Sequence, residues 1–507
     1  MGTAPRMLAF EDGTDGPGHA QGQEFAPVIN IIGRLTLVMG LSILLPALID
    51  IYDASPSRGG MVIAALLTMA GGAALAQLTS GAAAGDERHR LTRRQAFLLT
   101  VLIWLVLPMF GALPFVLGAP LAGITDAFFE SMSGMTTTGA TVFIDLDDAP
   151  RGMLLWRSML QWYGGLGIVI VAIVFLPALR IGGMQFFRSE AFDISGETMP
   201  RASQIARELV LIYLALTVTC MLGYAGTGMS AFDAICHAMT TVSTGGFATH
   251  DSSFMRYPAS SQWVATGFMI LGALPFLRFI QLARGQPLGL LRDTQIHAFL
   301  GIVLVASAMM TLWLLADEQL ALHDAIRETL FNTASIITGT GYASTNYWLW
   351  GGFPAAIFLI LPMIGGCTAS TSCSAKVFRY QILFQALKAQ LQRLRSPHVI
   401  YTLRYQGRPV EPDVVASVMA FFFVFLTSIG VVAILLSLMG LDFITALSAS
   451  IAALCNVGPG LGELIGPSGS FRELPGIAKW LLAFGMLLGR LEFLSVLVLL
   501  TPGFWRR

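Results

Sequence analysis

Charge is what this sequence most lacks. Only 12% of its 507 residues are Asp, Glu, Lys or Arg, against 55% apolar. A chain so poor in charge cannot clothe a water-facing surface, so a soluble globular protein is excluded. The 30 basic and 30 acidic residues cancel, leaving no argument for a nucleic-acid partner. Cysteine is scarce as well. Cys220, Cys236, Cys367, Cys373 and Cys455 lie in or beside apolar runs without any C-x-x-C pair. That excludes a disulfide framework and reads as small packed residues. The histidines are scattered without H-E-x-x-H, and no G-x-S-x-G elbow occurs, so an enzyme is not expected and no cofactor is implied. Cys236-His237 reads as packing, not as a metal site. Gly164-Gly165-Leu166-Gly167 sits inside an apolar run and follows no strand, so it is no dinucleotide fingerprint. A secretory signal is also missing, since Arg6 is followed by only Met7-Leu8-Ala9-Phe10 before acids and glycines begin.

What is present is a series of apolar runs of roughly 20 residues, the length that crosses a bilayer. Residues 1–24 read as a disordered tail inside the cell, and 25–94 as a transmembrane hairpin with spans near 27–52 and 60–80, turning at Asp53-Ala54-Ser55-Pro56. Four arginines among Arg88–Arg94 mark the following loop as cytoplasmic. The rest divides into four units: 95–190, 191–293, 294–411 and 412–507. Each reads as a span, a short helix too short to cross, a Gly-containing loop and a second span. Second spans are expected near 152–178, 261–282, from about 350, and at 477–502.

The third loop, Asn332 to Asn346, is the clearest. It lies between apolar runs but is too polar and Gly-rich for a lipid-facing helix. Irregular backbone at membrane depth survives only where protein or water surrounds it. Thr338-Gly339-Thr340-Gly341-Tyr342 therefore reads as a loop whose carbonyls replace the water shell of a dehydrated cation. Matching stretches are Thr137-Thr138-Gly139-Ala140, Ser243-Thr244-Gly245-Gly246 and Asn456-Val457-Gly458-Pro459. Taking Gly139, Gly245, Gly339 and Gly458 as central, the spacings are 106, 94 and 119 residues. Two spans separate successive loops, so all four enter from one membrane side and the units are parallel. The expected fold is an all-α polytopic membrane protein of about ten spans, with four re-entrant helices around one pore.

Charge placement agrees. Lys376, Arg379, Lys388, Arg393, Arg395, Arg404 and Arg408 form a stretch without acids, read as cytoplasmic. It suits a cytoplasmic partner or anionic lipid equally. Asp145, Asp147, Asp148, Asp251 and Glu463 fall on the loop side and concentrate cations there.

Two further features stand out. Gly365 to Lys376, a run of small polar residues (GGCTASTSCSAK), interrupts the second span of the third unit and needs a wet or protein lining. Arg490 lies near the middle of the last expected span, where a charge costs about 3 kcal/mol, so it needs a partner within the bundle. Glu492 is one candidate, although two residues along a helix point to different faces.

These loops, with Gly365-Gly366-Cys367, Leu454-Cys455-Asn456-Val457-Gly458-Pro459-Gly460-Leu461-Gly462, Leu488-Gly489-Arg490-Leu491-Glu492 and Thr501-Pro502-Gly503-Phe504-Trp505, resemble the Trk/Ktr/HKT superfamily of potassium transporters, closest to its TrkH/TrkI branch. The resemblance covers nearly all of the chain after the tail. It implies a K⁺ selectivity filter made by Thr137, Thr138, Gly139, Ala140, Ser243, Thr244, Gly245, Gly246, Ile337, Thr338, Gly339, Thr340, Gly341, Asn456, Val457, Gly458 and Pro459. Glycine at the central position of the first loop resembles the potassium-favouring members. Residues 365–376 become an intramembrane gating loop, with Gly365, Gly366, Cys367, Thr368, Ser370, Thr371 and Arg490 as gating residues. Ser372, Cys373 and Ser374 depart from the usual pattern, where glycines are common. The resemblance also implies K⁺ as the transported ligand, a bacterial inner-membrane location with both termini cytoplasmic, a homodimer, and a cytoplasmic nucleotide-binding regulatory subunit. A gated pore and an alternating-access symporter with H⁺ or Na⁺ both remain open.

Overall fold

The computed structural model describes residues 25–83, 92–175, 183–184, 202–317, 320–396 and 402–505. The tail 1–24 and most of the arginine-rich loop after the hairpin lie outside them. Helices α1 (Ala26–Tyr52) and α2 (Arg58–Ala83) form the hairpin. Small residues let them touch: a Cβ on Gly33 would lie 2.6 Å from Ala76 N, and one on Gly72 2.4 Å from Leu37 N. Asn30 adds a bond to Ala76 O at 2.8 Å. Buried Asp50 accepts from Ser57 at 2.7 Å and from Gly152 N at 2.9 Å, fastening the hairpin to the first unit.

The first unit has α3 (Arg93–Gly111), α4 (Ile124–Met135) and α5 (Arg151–Ile170). The second has α6 (Ala202–Gly226), α7 (Ala231–Val242), α8 (Ala259–Gly272) and α9 (Phe276–Ala283). The third has α10 (Thr294–Ala316), α11 (Leu322–Thr338), α12 (Gly352–Ile364) and α13 (Val377–Arg395). The fourth has α14 (Pro412–Leu438), α15 (Phe443–Cys455), α16 (Gly476–Arg490) and α17 (Leu494–Leu499). A two-residue antiparallel ribbon, Arg404–Tyr405 with Arg408–Pro409, follows α13. Side-chain caps start several helices: Ser230 accepts from Asp233 N at 3.1 Å and Asp442 from Thr445 N at 3.0 Å. Lys479 of α16 bonds Asp126 of α4 at 2.7 Å, joining the last unit to the first.

Six helices among the described residues are long and apolar enough to cross a membrane, or seven if α8 and α9 count as one bent span. The second halves of the units are where expectation and structure differ. The expected span 261–282 bends by 94° between α8 and α9. Pro275 at the bend has no N–H to extend a helix. The expected span 477–502 stops at Arg490, where Glu492 and Phe493 take positive φ of 62° and 39° before α17 begins. Arg490 is therefore the last residue of a helix and is not at mid-span. In the first unit α5 passes into a π-helical turn, Val171–Phe175. The third unit breaks at residues 365–376, as the run of small polar residues suggests.

Glu492 does not serve Arg490. It takes Arg379 as its hydrogen-bonded partner and has Lys376 Nζ at 3.9 Å. Arg379 is fully buried, with its guanidinium 3.8 Å from the centre of the Phe421 ring. Two of the seven cations read as a cytoplasmic surface are thus interior, because a carboxylate from the last unit meets them. Lys388, Arg393, Arg395 and Arg404 are exposed.

Replacing one member of a buried ion pair strands the other in low dielectric. We expect Glu492→Gln to cost about 3 kcal/mol and lower the thermal unfolding midpoint of the detergent-solubilised protein. An unchanged midpoint would show that the pair contributes nothing to stability.

Candidate functional site

The four short helices α4, α7, α11 and α15 end at loops that meet. Backbone conformation sets their register. Thr137, Thr244, Gly339 and Asn456 take positive φ of 52°, 51°, 84° and 53°. Two residues later Gly139, Gly246 and Gly341 do so again, at 84°, 80° and 80°, and Gly458 holds the same place without the positive φ. Alternating left-handed and ordinary φ turns successive carbonyls to one side of the chain, which an extended strand cannot do.

This register corrects the assignment of central glycines. Gly139 and Gly458 keep the position, but Gly246 and Gly341 replace Gly245 and Gly339. The reason is packing. A Cβ on Gly139 would lie 2.2 Å from Gly245 O, and one on Gly246 only 1.7 Å from Thr340 O. A Cβ on Gly341 would lie 2.9 Å from Gly458 N, and one on Gly458 2.9 Å from Gly139 O. Each of these four glycines therefore presses on the next loop, and the contacts close a ring. Gly245 instead faces Gln161, 2.4 Å from its Cβ position, outside the ring.

Side chains hold the ring from behind. Gln161 of α5 donates to Gly245 O and accepts from Phe247 N at 3.0 Å. Asn456 donates to Thr138 Oγ1 at 3.0 Å and to Met486 O at 2.8 Å. Thr136 and Thr138 pair at 2.7 Å, and Thr338 and Thr340 at 2.8 Å. The Tyr342 hydroxyl reaches Thr240 and, at 3.2 Å, Thr241 of α7. Ile337 and Thr338 sit in the last turn of α11, and Ser243 ends α7, so these border the ring. Ala140, Pro459 and all four ring glycines line an outer cavity of about 310 Å³ with Arg157, Asp145 and Asp251, while Val457 is buried. Thr137 Oγ1 and Asn456 Oδ1 are buried oxygens without a protein donor.

The cavity mouth is acidic. Burial pushes the Asp251 carboxyl above its usual range, and Asp147 and Asp145 add to this. Burial also acts upward on Asp147, but the hydrogen bond and charge of His250, with Arg256, outweigh it and hold that carboxyl low. Asp147 therefore keeps its negative charge at neutral pH.

Residues 365–376 lie beneath the second loop. Thr371 Oγ1 donates to Gly272 O at 2.9 Å and to Val242 O at 3.2 Å, and meets Thr244 Oγ1 at 3.3 Å. Cys367 N bonds Ala273 O at 3.0 Å, and Phe276 N bonds Ala369 O at 2.9 Å. The bend between α8 and α9 thus gives its unpaired backbone groups to this segment. Gly366 N donates to Ser372 Oγ at 3.0 Å within the segment, and Ser370 Oγ donates to Cys367 O at 2.6 Å. Thr368 N donates to Gln295 Oε1 at 3.0 Å. Gly365 and Ser374 both take positive φ, at 76° and 68°, so Ser374 adopts a conformation that glycine adopts with less strain. Arg490 donates to Thr371 O at 3.2 Å, to Gly164 O at 2.9 Å and to Cys373 Sγ. It is buried, with no carboxylate among its partners in the described residues, and faces the Trp104 ring at 5.4 Å.

Reading the sequence missed Glu130, Arg157 and Gln161, which brace the first two loops. For Glu130 and Arg157 the available signal was an ionisable residue within an apolar run; Gln161 carries no such signal. His237 packs among Tyr224, Phe254 and Tyr257 at 5.1–6.4 Å, as the packing reading holds. Among the described residues no cluster of His, Cys, Asp and Glu could hold a metal ion.

Residues 67–505 match the family model TrkH, described as cation transport protein. The chain is 40% identical over 487 residues to the Trk system potassium uptake protein TrkI of Halomonas elongata, covering 96% of this chain and 98% of that relative. It is 35% identical over 490 residues to the Trk system potassium uptake protein TrkH of Escherichia coli strain K12, covering 95% and 99%. The crystal structure of the potassium transporter TrkH from Vibrio parahaemolyticus superposes with a TM-score of 0.87 at 34% identity, covering 96% of this chain and all of that one. With its membrane-spanning helices and these relatives, the chain is a multi-pass membrane protein belonging to the TrkH family of cation transport proteins.

Proposed function

We propose that this protein takes up K⁺ across the bacterial inner membrane through a gated pore framed by its four loops. One observation carries the reading: four loops close a ring through glycines at which neighbouring backbones touch. The relatives' names, potassium uptake proteins, support K⁺ as cargo. No side chain needs to contact the ion, since backbone oxygens replace its water. Glycine at all four ring positions suits K⁺ over Na⁺. The filter comprises the residues from Thr137 to Ala140, Ser243 to Gly246, Ile337 to Gly341 and Asn456 to Pro459. The membrane potential drives entry with ~2.3 kcal/mol per charge per 100 mV.

Residues 365–376 act as the gate beneath the filter. Arg490 holds that segment through Thr371 O and sets a positive charge beside the pathway. Both termini are cytoplasmic, the functional unit is a homodimer, and the exposed cations Lys388, Arg393, Arg395 and Arg404 face a cytoplasmic nucleotide-binding regulatory subunit. No cofactor is required.

Expression in a strain lacking its own K⁺ uptake should restore growth at low K⁺. Gly139→Ser, which forces a side chain against Gly245 O at positive φ, should lower the K⁺/Na⁺ uptake ratio, while Gly267→Ser, in open space, should not. An unchanged ratio in Gly139→Ser would remove the filter assignment. Flux that tracks an H⁺ or Na⁺ gradient at fixed voltage would replace the pore with a symporter. Arg490→Ala should raise K⁺ flux about tenfold, the Coulomb penalty of a cation roughly 12 Å away at an effective dielectric near 20. Flux unchanged per folded protein would make Arg490 a purely structural residue.

A further inference from the structure

The first two ring loops are joined by a buried charge pair that the pore reading does not by itself require. Glu130 lies in α4 and Arg157 in α5, exposed by 0% and 1%. Arg157 Nε donates to Glu130 Oε1 at 2.8 Å. The carboxylate also accepts from Thr141 Oγ1 at 2.9 Å and from Val142 N at 2.9 Å, both on the outer limb of the first loop. The guanidinium reaches further. Its Nη1 donates to Ala248 O at 2.9 Å, on the outer limb of the second loop, and its Nη2 to Thr141 Oγ1 at 3.2 Å. The Phe247 ring centre lies 4.2 Å from it.

Thr141 and Ala248 each stand two residues beyond a ring glycine, Gly139 and Gly246. The pair therefore spans the seam where Gly139 presses on Gly245 O. The outer limbs also have fastenings within their own units, and Phe254 N of the second unit donates to Ala343 O of the third at 3.0 Å, with no charge on either side. Thr249 bonds Asp233 at 2.7 Å, Ser344 bonds Asn332 at 2.8 Å, and Leu461 N bonds Ser448 at 2.9 Å. Arg157 supplies a planar fork with several donors, which one lysine ammonium cannot copy.

We propose that Arg157 and Glu130 are positioning residues that set K⁺/Na⁺ discrimination by fixing the spacing of the first and second loops. This rests on the reading of the ring as the filter. A smaller cation gains by drawing oxygens inward. Tied limbs resist that movement, so loosening them favours Na⁺ more than K⁺.

The test measures K⁺ and Na⁺ uptake by the full-length chain in proteoliposomes, normalised to folded protein from size-exclusion chromatography. Arg157→Lys and Glu130→Gln should lower the K⁺/Na⁺ ratio about tenfold, the scale expected on losing a hydrogen bond to a charged group. The paired variant Glu130→Gln with Arg157→Gln strands no charge and keeps the test open if a single variant folds poorly. It should show the same loss. Equal falls in K⁺ and Na⁺ uptake, leaving the ratio intact, would overturn the inference by making the pair a structural brace only. If the unaltered chain showed no preference for K⁺, the filter reading would fail first, and the inference with it.

Discussion

The constraint on which this structure depends is the unpaired backbone group at membrane depth. Lipid cannot bond it, so each break in a helix must find protein. The breaks here are placed to serve one another. The bend between α8 and α9 offers Gly272 O, Ala273 O and Phe276 N, and residues 365–376 take all three. That same segment receives Arg490 from the end of α16. The interrupted second halves of the second, third and fourth units thus form one connected layer beneath the loops. Such a layer couples any movement of the segment to the helix ends on either side.

Above it, close approach replaces hydrogen bonding as the organising term. The ring glycines leave space for neighbouring backbone at distances no Cβ tolerates. Gly246, with a neighbour at 1.7 Å from its Cβ position, is the tightest. Positive φ at Gly139, Gly246 and Gly341 adds a second requirement for glycine. Gly458 meets only the first, and Pro459 beside it narrows the backbone freedom of the fourth loop. The four quarters are therefore alike in packing and unlike in conformation.

Much of this was legible in the sequence. Hydropathy and parity marked the hairpin, the long spans and the four short helices, because length and charge report directly on a bilayer. The run 365–376 announced a break through composition alone. Register within the loops was not legible: Gly245-Gly246 and Gly339-Thr340-Gly341 each offer two glycines, and only the alternation of backbone φ together with the tightest contact to the next loop selects one. The partners of buried charges were hidden for the same reason. Glu492 looked local to Arg490, yet positive φ at Glu492 and Phe493 turns the chain, and Arg379, 113 positions away, takes the carboxylate.

Fusing four units in one chain lets each seam of the ring carry a different fastening. The first and second loops share the Arg157 fork. The second and third are linked by the Tyr342 hydroxyl and by Phe254 N on Ala343 O at 3.0 Å. The fourth and first are linked by Asn456 on Thr138 and by Phe471 N on Thr141 O at 2.8 Å. A ring of identical subunits would repeat a single fastening at every seam, so the stiffness of its filter would be uniform. Here the fastening differs from seam to seam. The most strongly charged seam adjoins Gln161 and α5, and α5 is the helix whose Gly164 carbonyl receives Arg490. One helix therefore touches both the ring, through Gln161, and the charged end of α16, through the Gly164 carbonyl.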